Sequence, residues 1–325
     1  MVRHMFATAA DDALEISVLG SFSRIGPAVR ARLFAWSAPE PGVLIGRTVA
    51  ITGPTSGLGL ATTWALASLG ARVVLIGRSE ARLVALATSL TAAFGADRFP
   101  TVTADMGDLT SVRAAVARIL RSESRLDVLI DNAGAIYPSR GESPDGIEAT
   151  FALMVVGPFA LEAGLAPLLG ATSGSRVIAV TSGGMYTQRL PLDDLGYRSG
   201  DYSGPRAYAR AKRAQVALMR EWARRRAGSV AFAAMHPGWS DTPGLAEALP
   251  GFHRVMRPLL RTPEQGMDTI IWLATHPEPA AFDGRLFLDR RPRPFDRVRS
   301  TRLSAADRRR LWDRVAAMVS ASEPG

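Results

Sequence analysis

The chain has 325 residues, 47% hydrophobic and 21% charged, which is enough apolar content for one large domain with a substantial core. It contains no cysteine, which excludes disulfides, thiolate metal sites and cysteine nucleophiles, and its four dispersed histidines predict no metal site. The formal net charge is +9, but arginines are spread along the whole chain, so the charge alone predicts no nucleic-acid partner.

Residues 1–45 precede the first clear strand and form an N-terminal extension. Early acidic residues and the lack of a continuous apolar run predict no signal peptide, and we expect a cytoplasmic protein. The stretch 16–36 mixes apolar residues with arginines, which leaves two interpretations: a helix that contacts a membrane surface peripherally, or an arm packed on its own domain. Gly26-Pro27 argues against one long helix and favours the packed arm.

From Arg47 onward, short apolar strands alternate with helices. Continuously apolar strands separated by helices are typical of a parallel sheet covered on both faces. We therefore predict an α/β fold with a doubly wound parallel sheet, the Rossmann fold, as a single domain over residues 46–288. Strands are predicted at 47–52, 71–77, 98–104, 126–131, 175–181 and 229–235, and helices at 57–69, after Ser79, and near 109–122, 145–170, 205–227 and 263–275.

Two further segments are apolar or basic. The apolar stretch 151–171 contains two prolines and a glutamate, so it predicts a buried helix and not a membrane span. Residues 289–325 are predicted to be a basic connector followed by a C-terminal helix capped by Ser304.

A glycine-rich turn, reading TGPTSGLG over 52–59, joins the first strand to the first helix. Glycines permit a sharp turn and let the backbone approach a pyrophosphate, and the helix N-terminus adds free N–H groups and a positive dipole end. The spacing is a variant of the dinucleotide fingerprint. The turn supplies these predicted cofactor contacts: Gly53, Thr55, Ser56, Gly57, Leu58 and Gly59.

The second strand ends at Gly77-Arg78, where NAD sites often carry an acidic residue. A guanidinium suits a 2′-phosphate, so we predict NADP in preference to NAD, the alternative being a surface arginine. Asn132 has two interpretations, a wall of the adenosine site or a tie between neighbouring strands. The next strand ends add these predicted contacts: Asp105, Met106, Asn132, Ala133 and Gly134.

Tyr208 and Lys212 are four residues apart on a predicted helix and therefore share one face. A free phenol has a pKa of about 10, and a nearby ammonium favours the phenolate, which would make Tyr208 an acid for carbonyl reduction and a base for alcohol oxidation. Lys212 is the chain's only lysine, as Asn132 is its only asparagine. Ser182 ends the fifth strand and either holds the substrate oxygen or is a turn serine.

The sixth strand is followed by His236-Pro237-Gly238, at the sheet edge where doubly wound folds bind ligands. Pro237, Gly238 and Thr242 are predicted cofactor contacts, with Thr242 near the nicotinamide carboxamide. Trp239 is either pocket wall or core. The loop 183–204 is expected to border the substrate through Met185, Tyr186 and Tyr202.

Taken in order, these motifs resemble the short-chain dehydrogenase/reductase family over about residues 47–288. The resemblance rests on these motifs and residues: TGPTSGLG, Asp105, DNAG at 131–134, Ser182, YARAK at 208–212 and HPG at 236–238. TSGGMYTQRL and MHPGWSDTPG resemble the subgroup of dehydrogenase/reductase family member 12. The resemblance implies an NADP(H)-dependent transfer of hydride between nicotinamide and a small-molecule carbonyl/alcohol substrate, with Ser182, Tyr208 and Lys212 as catalytic residues, and is compatible with a homo-oligomer.

The chain departs from the family pattern at Met154. In the family an asparagine in the fourth long helix is held to support a water-linked proton relay from the lysine, and Met154 occupies its place. A thioether is a weak acceptor and holds such a water poorly. Two hypotheses follow: an active oxidoreductase, or an NADP(H)-binding redox sensor or regulatory protein with impaired catalysis.

Overall fold

The structure, a computed structural model, describes residues 2–95 and 98–322, with side chains from residue 6 onward; residue 1 and residues 323–325 of the two flanking segments lie outside it. Over these ranges the sheet has eight strands in the order β3-β2-β1-β4-β5-β6-β7-β8, and β8 alone is antiparallel to its neighbour. Their bounds are β1 (Thr48–Thr52), β2 (Arg72–Gly77), β3 (Thr101–Thr103), β4 (Val128–Asp131), β5 (Arg176–Val180), β6 (Ala231–Met235), β7 (Arg285–Leu288) and β8 (Arg291–Arg293).

Helices precede, cover and follow the sheet. They are α1 (Val2–Ile16), α2 (Val18–Phe22), α3 (Ile25–Leu33), α4 (Gly57–Ser68), α5 (Glu80–Phe94), α6 (Leu109–Ser122), α7 (Ala149–Phe151), α8 (Gly157–Ala171), α9 (Gly204–Arg225), α10 (Pro243–Ala248), α11 (Pro250–Met256), α12 (Pro263–Thr275) and α13 (Ala305–Ala321). One core cluster packs α4, α5 and α12 on one face of the sheet, and a second packs α6, α8, α9 and α13 on the other. The predicted doubly wound Rossmann fold is confirmed.

The sheet extends beyond the predicted domain. The sequence did not predict β7 or β8, and the first part of 289–325 was predicted to be a basic connector. The structure instead places β8 there, paired with β7 as the edge strand. Pro292 explains the error, because proline is confined to edge strands and an Arg-Pro-Arg run resembles a linker. The helix capped by Ser304 is confirmed, since Ser304 accepts a hydrogen bond from the Asp307 N–H at 3.0 Å.

Residues 149–171 form one apolar helical run, in which a π-helical turn (Ala152–Val156) joins α7 to α8. Its length and composition would allow it to cross a membrane, but most of it is buried inside the protein, largely against α6 and α9. The predicted buried helix is therefore confirmed. The run begins at Ala149 because Glu148 caps it, accepting hydrogen bonds from the N–H groups of Thr150 and Phe151.

The N-terminal arm, α1 to α3, packs on the sheet edge. Arg30 of α3 is completely buried and donates to Asp11 of α1 at 2.6 Å and to Asp289, which follows β7, also at 2.6 Å. The Trp239 N–H donates to the Phe22 carbonyl at 2.8 Å. These contacts confirm the packed arm, and they place it directly behind the turn that follows β6.

Candidate active site

A cleft of about 600 Å³ lies at the carboxyl ends of the strands, where parallel sheets of this order change winding direction and bind ligands. The structure brings every residue predicted for catalysis or cofactor binding to the wall of this cleft. They are Gly53, Thr55, Ser56, Gly57, Leu58, Gly59, Arg78, Asp105, Met106, Asn132, Ala133, Gly134, Ser182, Tyr208, Lys212, Pro237, Gly238 and Thr242.

The glycine turn has the geometry of a phosphate cradle. Gly53 has a φ of +66°, which side-chain-bearing residues rarely adopt. A Cβ on Gly59 would lie 2.0 Å from the Gly53 carbonyl oxygen, so only glycine allows α4 to start this close to β1. The N-terminus of α4 therefore faces the cleft with bare backbone, and this arrangement fits a dinucleotide pyrophosphate.

Asn132 fixes the shape of this turn. Its Nδ2 donates to the carbonyl oxygens of Thr52 at 3.0 Å and Gly53 at 3.1 Å. The chain's only asparagine is thus a tie between the ends of β1 and β4, the structural interpretation, while it also lines the cleft.

Two arginines stand at the adenosine end of the cleft. Arg78 is exposed immediately after β2, and Arg82, which the sequence analysis missed, lines the cleft from the first turn of α5. Burial raises the pKa of Tyr137, and the charge and hydrogen bond of Arg78 lower it, so Arg78 reaches across to Tyr137. The signal for Arg82 was its place in the first turn of the helix that follows β2, because ligands of doubly wound sheets bind at the carboxyl ends of the strands.

Ser182, Tyr208 and Lys212 form the reactive group. Ser182 lies close enough to Tyr208 to lower the pKa of its phenol, and Lys212 Nζ lies 5.5 Å from the centre of the Tyr208 ring. The Gly184 N–H donates to Ser182 Oγ at 3.2 Å, and Lys212 Nζ donates to the Val180 carbonyl at 2.8 Å. Both hydrogen bonds hold the side chains in the cleft, Ser182 from the end of β5 and Lys212 from α9.

The electrostatics of this group differ from the expectation. Burial raises the pKa of Tyr208 to about 12, and the hydrogen bond with Ser182 only partly opposes it. Burial also lowers the pKa of Lys212 to about 7, against the attraction of the Asp131 carboxylate. The expected lowering of the Tyr208 pKa rested on the attraction between ammonium and phenolate alone. The cost of desolvating both groups is larger here and shifts both pKa values the other way.

The loop after β5 borders the cleft differently from the prediction. Met185 is fully buried, and Tyr186 is buried with its hydroxyl donating to the Pro294 carbonyl at 2.8 Å. Tyr202 lies within hydrogen-bond distance of Glu148 and Thr150 instead. The cleft wall from this loop is made by Gly184 and Thr187, because the short 3-10 helix Gly183–Thr187 turns its larger side chains toward the core.

The outer wall of the cleft is apolar and comes from short helices that were not predicted. Leu245 from α10, Leu249 between the two helices and Phe252 from α11 line it, and Trp239 contacts Phe252 at 5.3 Å between ring centres. Trp239 is therefore pocket wall. Thr242 caps α10, accepting a hydrogen bond from the Leu245 N–H at 3.3 Å.

The turn after β6 is held by the arm. A Cβ on Gly238 would lie 2.4 Å from Arg261 Nε and 2.6 Å from the Phe22 carbonyl oxygen. The φ of Gly238 is +71°, so both conformation and space require glycine. Arg261 is buried and donates to both Phe22 and Asp289.

Met154 lies beside the reactive group, in the π-helical turn. It is fully buried, and a Cβ on Gly134 would lie 3.1 Å from Met154 Sδ and 3.5 Å from Lys212 Nζ. The thioether therefore fills space next to the lysine without offering a strong hydrogen-bond acceptor.

A doubly wound sheet with a glycine phosphate cradle and a serine–tyrosine–lysine group in one cleft defines a dinucleotide-binding oxidoreductase class. The family model for short chain dehydrogenase matches residues 47–192. The chain is 38% identical over 248 residues to human dehydrogenase/reductase SDR family member 12, covering 76% of this chain and 78% of that protein. The chain belongs to the short-chain dehydrogenase/reductase family, and the resemblance to that subgroup is confirmed.

Three further proteins agree with this assignment. Mouse retinol dehydrogenase 14 is 33% identical over 299 residues, covering 86% of this chain and 88% of that protein. Among solved structures, an uncharacterized protein from Mycobacterium paratuberculosis is 29% identical with a TM-score of 0.68, covering 87% of this chain and 98% of that chain. A short chain dehydrogenase from Escherichia coli complexed with NADPH is 24% identical with a TM-score of 0.64, covering 78% and 100%, and shares the fold.

Proposed function

We propose that the protein is an NADP(H)-dependent oxidoreductase that moves a hydride between the nicotinamide and a carbonyl/alcohol substrate. The observation that carries the proposal is that Ser182, Tyr208 and Lys212 line one cleft with the glycine turn, with Lys212 Nζ 5.5 Å from the centre of the Tyr208 ring. A bound nicotinamide would supply the hydride. This chain's residues would position the substrate and move the proton.

The proposed proton chemistry follows from the protonation states. Because the pKa of Tyr208 is raised to about 12, the phenol is protonated at neutral pH and is poised to act as an acid. In reduction it would give its proton to the substrate oxygen, while Ser182 Oγ holds that oxygen in place. The ammonium form of Lys212 would stabilise the resulting phenolate by its charge. Because the pKa of Lys212 is lowered to about 7, the fraction of lysine in that form would change with pH near neutrality.

The cofactor proposal rests on Arg78 and Arg82 at the adenosine end. Two guanidinium groups and no acidic side chain directly after β2 favour a 2′-phosphate. The Escherichia coli structure that shares the fold is complexed with NADPH, which supports the same cofactor. The pyrophosphate would lie on the glycine turn.

The substrate is proposed to be lipophilic. The cleft wall beyond Tyr208 consists of Trp239, Leu245, Leu249 and Phe252, which bind apolar surface. A relative is named retinol dehydrogenase, which favours a lipophilic carbonyl or alcohol.

The proposal is tested by mixing the purified protein with NADPH and a panel of aldehydes, ketones and quinones graded in chain length. We expect NADPH oxidation that rises with the apolar length of the substrate. Tight NADPH binding without turnover on any member would instead support the alternative, a redox sensor or regulatory protein in which Met154 has impaired catalysis.

Replacing Arg78 with serine is expected to weaken NADPH binding by about tenfold to a hundredfold, the loss of one hydrogen bond to a charged group, and to leave NADH binding unchanged. Titration of intrinsic fluorescence with each cofactor measures both. Arg121→Ser, an exposed arginine at the end of α6, is the matched control and should change neither. Equal weakening of NADPH and NADH by Arg78→Ser would refute a 2′-phosphate contact.

Three expectations stay predictions: a cytoplasmic location, a homo-oligomer, and a peripheral membrane contact through the arm. The arm exposes several apolar side chains that could make such a contact, of which Phe6 and Ile16 are the most accessible, at 73% and 85%.

A further inference from the structure

A second, much smaller cavity lies between β4, α8 and α9. It has a volume of about 10 Å³, close to the minimum that a single water requires. Asp131, Glu162 and Gln215 line it together with Met154. Asp131 is only 2% exposed and Glu162 only 8%, so two carboxyl groups share an apolar, nearly dry space.

The two carboxyl groups are each other's partners. Among residues 2–95 and 98–322, no N–H or hydroxyl group donates to either oxygen of Asp131. Asp131 and Glu162 line the same small cavity and interact with each other, and a hydrogen bond between two carboxyl groups requires a proton on one of them. Burial, followed by the charge of Asp131, raises the pKa of Glu162 well above its usual value, so Glu162 carries that proton and donates it.

Lys212 lies beside this pair. Its Nζ donates to the carbonyl of Val180, the last residue of β5. Asp131, the last residue of β4, lies opposite Ala179, the residue just before Val180 on β5. The groups around Lys212 are Tyr208 on its own helix, Asp131 on β4 and, behind Asp131, Glu162 on α8. Burial lowers the pKa of Lys212, and the charge that raises it is that of Asp131.

We propose that Asp131 and Glu162 form a shared-proton carboxyl pair that serves as the internal counter-charge of Lys212 and decides how much of the lysine is ammonium near neutral pH. Burial raises the pKa of Asp131 to about 7, and a hydrogen bond donated by Glu162 opposes this rise and favours the carboxylate. The Asp131 carboxylate in turn stabilises the ammonium of Lys212. Both are positioning residues, and their importance for turnover rests on the proposed function. Met154 offers no strong acceptor, so the Val180 carbonyl accepts from the lysine and the Asp131 carboxylate supplies the opposing charge.

The test uses a property of the sequence. Because Lys212 is the only lysine, protein labelled with carbon-13 at lysine Cε gives one side-chain signal, whose pH titration reports Lys212 alone. We expect a midpoint near 7 in the wild type. Asp131→Asn removes the counter-charge and should lower the midpoint by about one unit or more.

The pair of variants at Glu162 separates charge tuning from packing. Glu162→Leu removes the donor, so Asp131 stays neutral to higher pH and the Lys212 midpoint should fall as in Asp131→Asn. Glu162→Gln keeps an N–H donor and should keep the wild-type midpoint. The control is Glu221→Gln, a buried carboxylate on α9 that is paired with Arg224 at 2.9 Å, and it should leave the midpoint unchanged.

Three results would overturn the proposal: an unchanged midpoint in Asp131→Asn, equal shifts in Glu162→Leu and Glu162→Gln, or an equal shift in Glu221→Gln. If Asp131→Asn does not fold, the comparison of the two Glu162 variants decides. The titration needs neither cofactor nor substrate. An absence of carbonyl reduction would therefore refute the proposed function and leave the titration result valid. A Lys212 midpoint that is the same in wild type and all variants would refute the carboxyl pair and leave the proposed function valid.

Discussion

Tyr208→Phe is expected to lower kcat for carbonyl reduction by about a hundredfold to ten-thousandfold, the usual contribution of a positioned proton donor. Phenylalanine keeps the ring that packs near Lys212 and removes only the hydroxyl that bonds to Ser182. NADPH binding should be unchanged, since the glycine turn and the Arg78 region are untouched. Single-turnover NADPH oxidation and cofactor titration measure the two effects separately.

The matched control for this prediction is Tyr202→Phe. Tyr202 is also a partly buried tyrosine with hydrogen-bond partners, Thr150 and Glu148, but it does not line the cleft. Its loss should leave kcat close to wild type. Equal NADPH oxidation by wild type and Tyr208→Phe would remove Tyr208 from the chemistry, whatever the cofactor affinity.

Arg30→Met is expected to lower the free energy of unfolding by about 3–5 kcal/mol, because it leaves buried carboxylates without one of their charge partners. Arg30 is completely buried between Asp11 and Asp289 and also donates to Glu15. With an unfolding entropy of about 2.1 cal/mol/K per residue, this loss corresponds to a Tm about 4–7 °C lower. Calorimetry or denaturant unfolding measures it.

Arg32→Met on the same helix is the control for this substitution. Arg32 is exposed, and removing an exposed arginine should change stability by about 0.5 kcal/mol or less. Similar Tm values for the two variants would show that the arm contributes little to stability. A large loss in Arg30→Met should also weaken the turn at Gly238, because Arg261 shares Asp289 with Arg30 and supports that turn.

The charged cluster around Asp11 and Arg30 also predicts how stability changes at low pH. Although burial opposes it, hydrogen bonds and charge from Arg293 and Arg30 lower the pKa of Asp11 below its usual value. A lowered folded-state pKa contributes stability that is present above the unfolded value and is lost as pH falls through the folded value. Asp11 thus ties the arm to the sheet at neutral pH and releases it only in acid.

The sequence by itself determined the central fold and the cofactor end of the site. Apolar runs of strand length between helical patterns allow only a covered parallel sheet, and a glycine turn after β1 has a local geometry that does not depend on distant contacts. Motifs at successive strand ends necessarily meet at one edge of such a sheet. For this reason every predicted cofactor residue lines the cleft, from Gly53 to Thr242.

Tertiary structure alone decided the features that depend on burial and on contacts distant in sequence. The protonation of Tyr208 and Lys212 is governed by desolvation, which no residue spacing reveals. The pairing of Asp131 with Glu162 joins a strand end to a helical residue 31 positions later in the chain, and that of Arg30 with Asp289 spans 259 positions. A sequence shows which charges exist, but the fold sets their separation and their access to water, and these two quantities fix their energies.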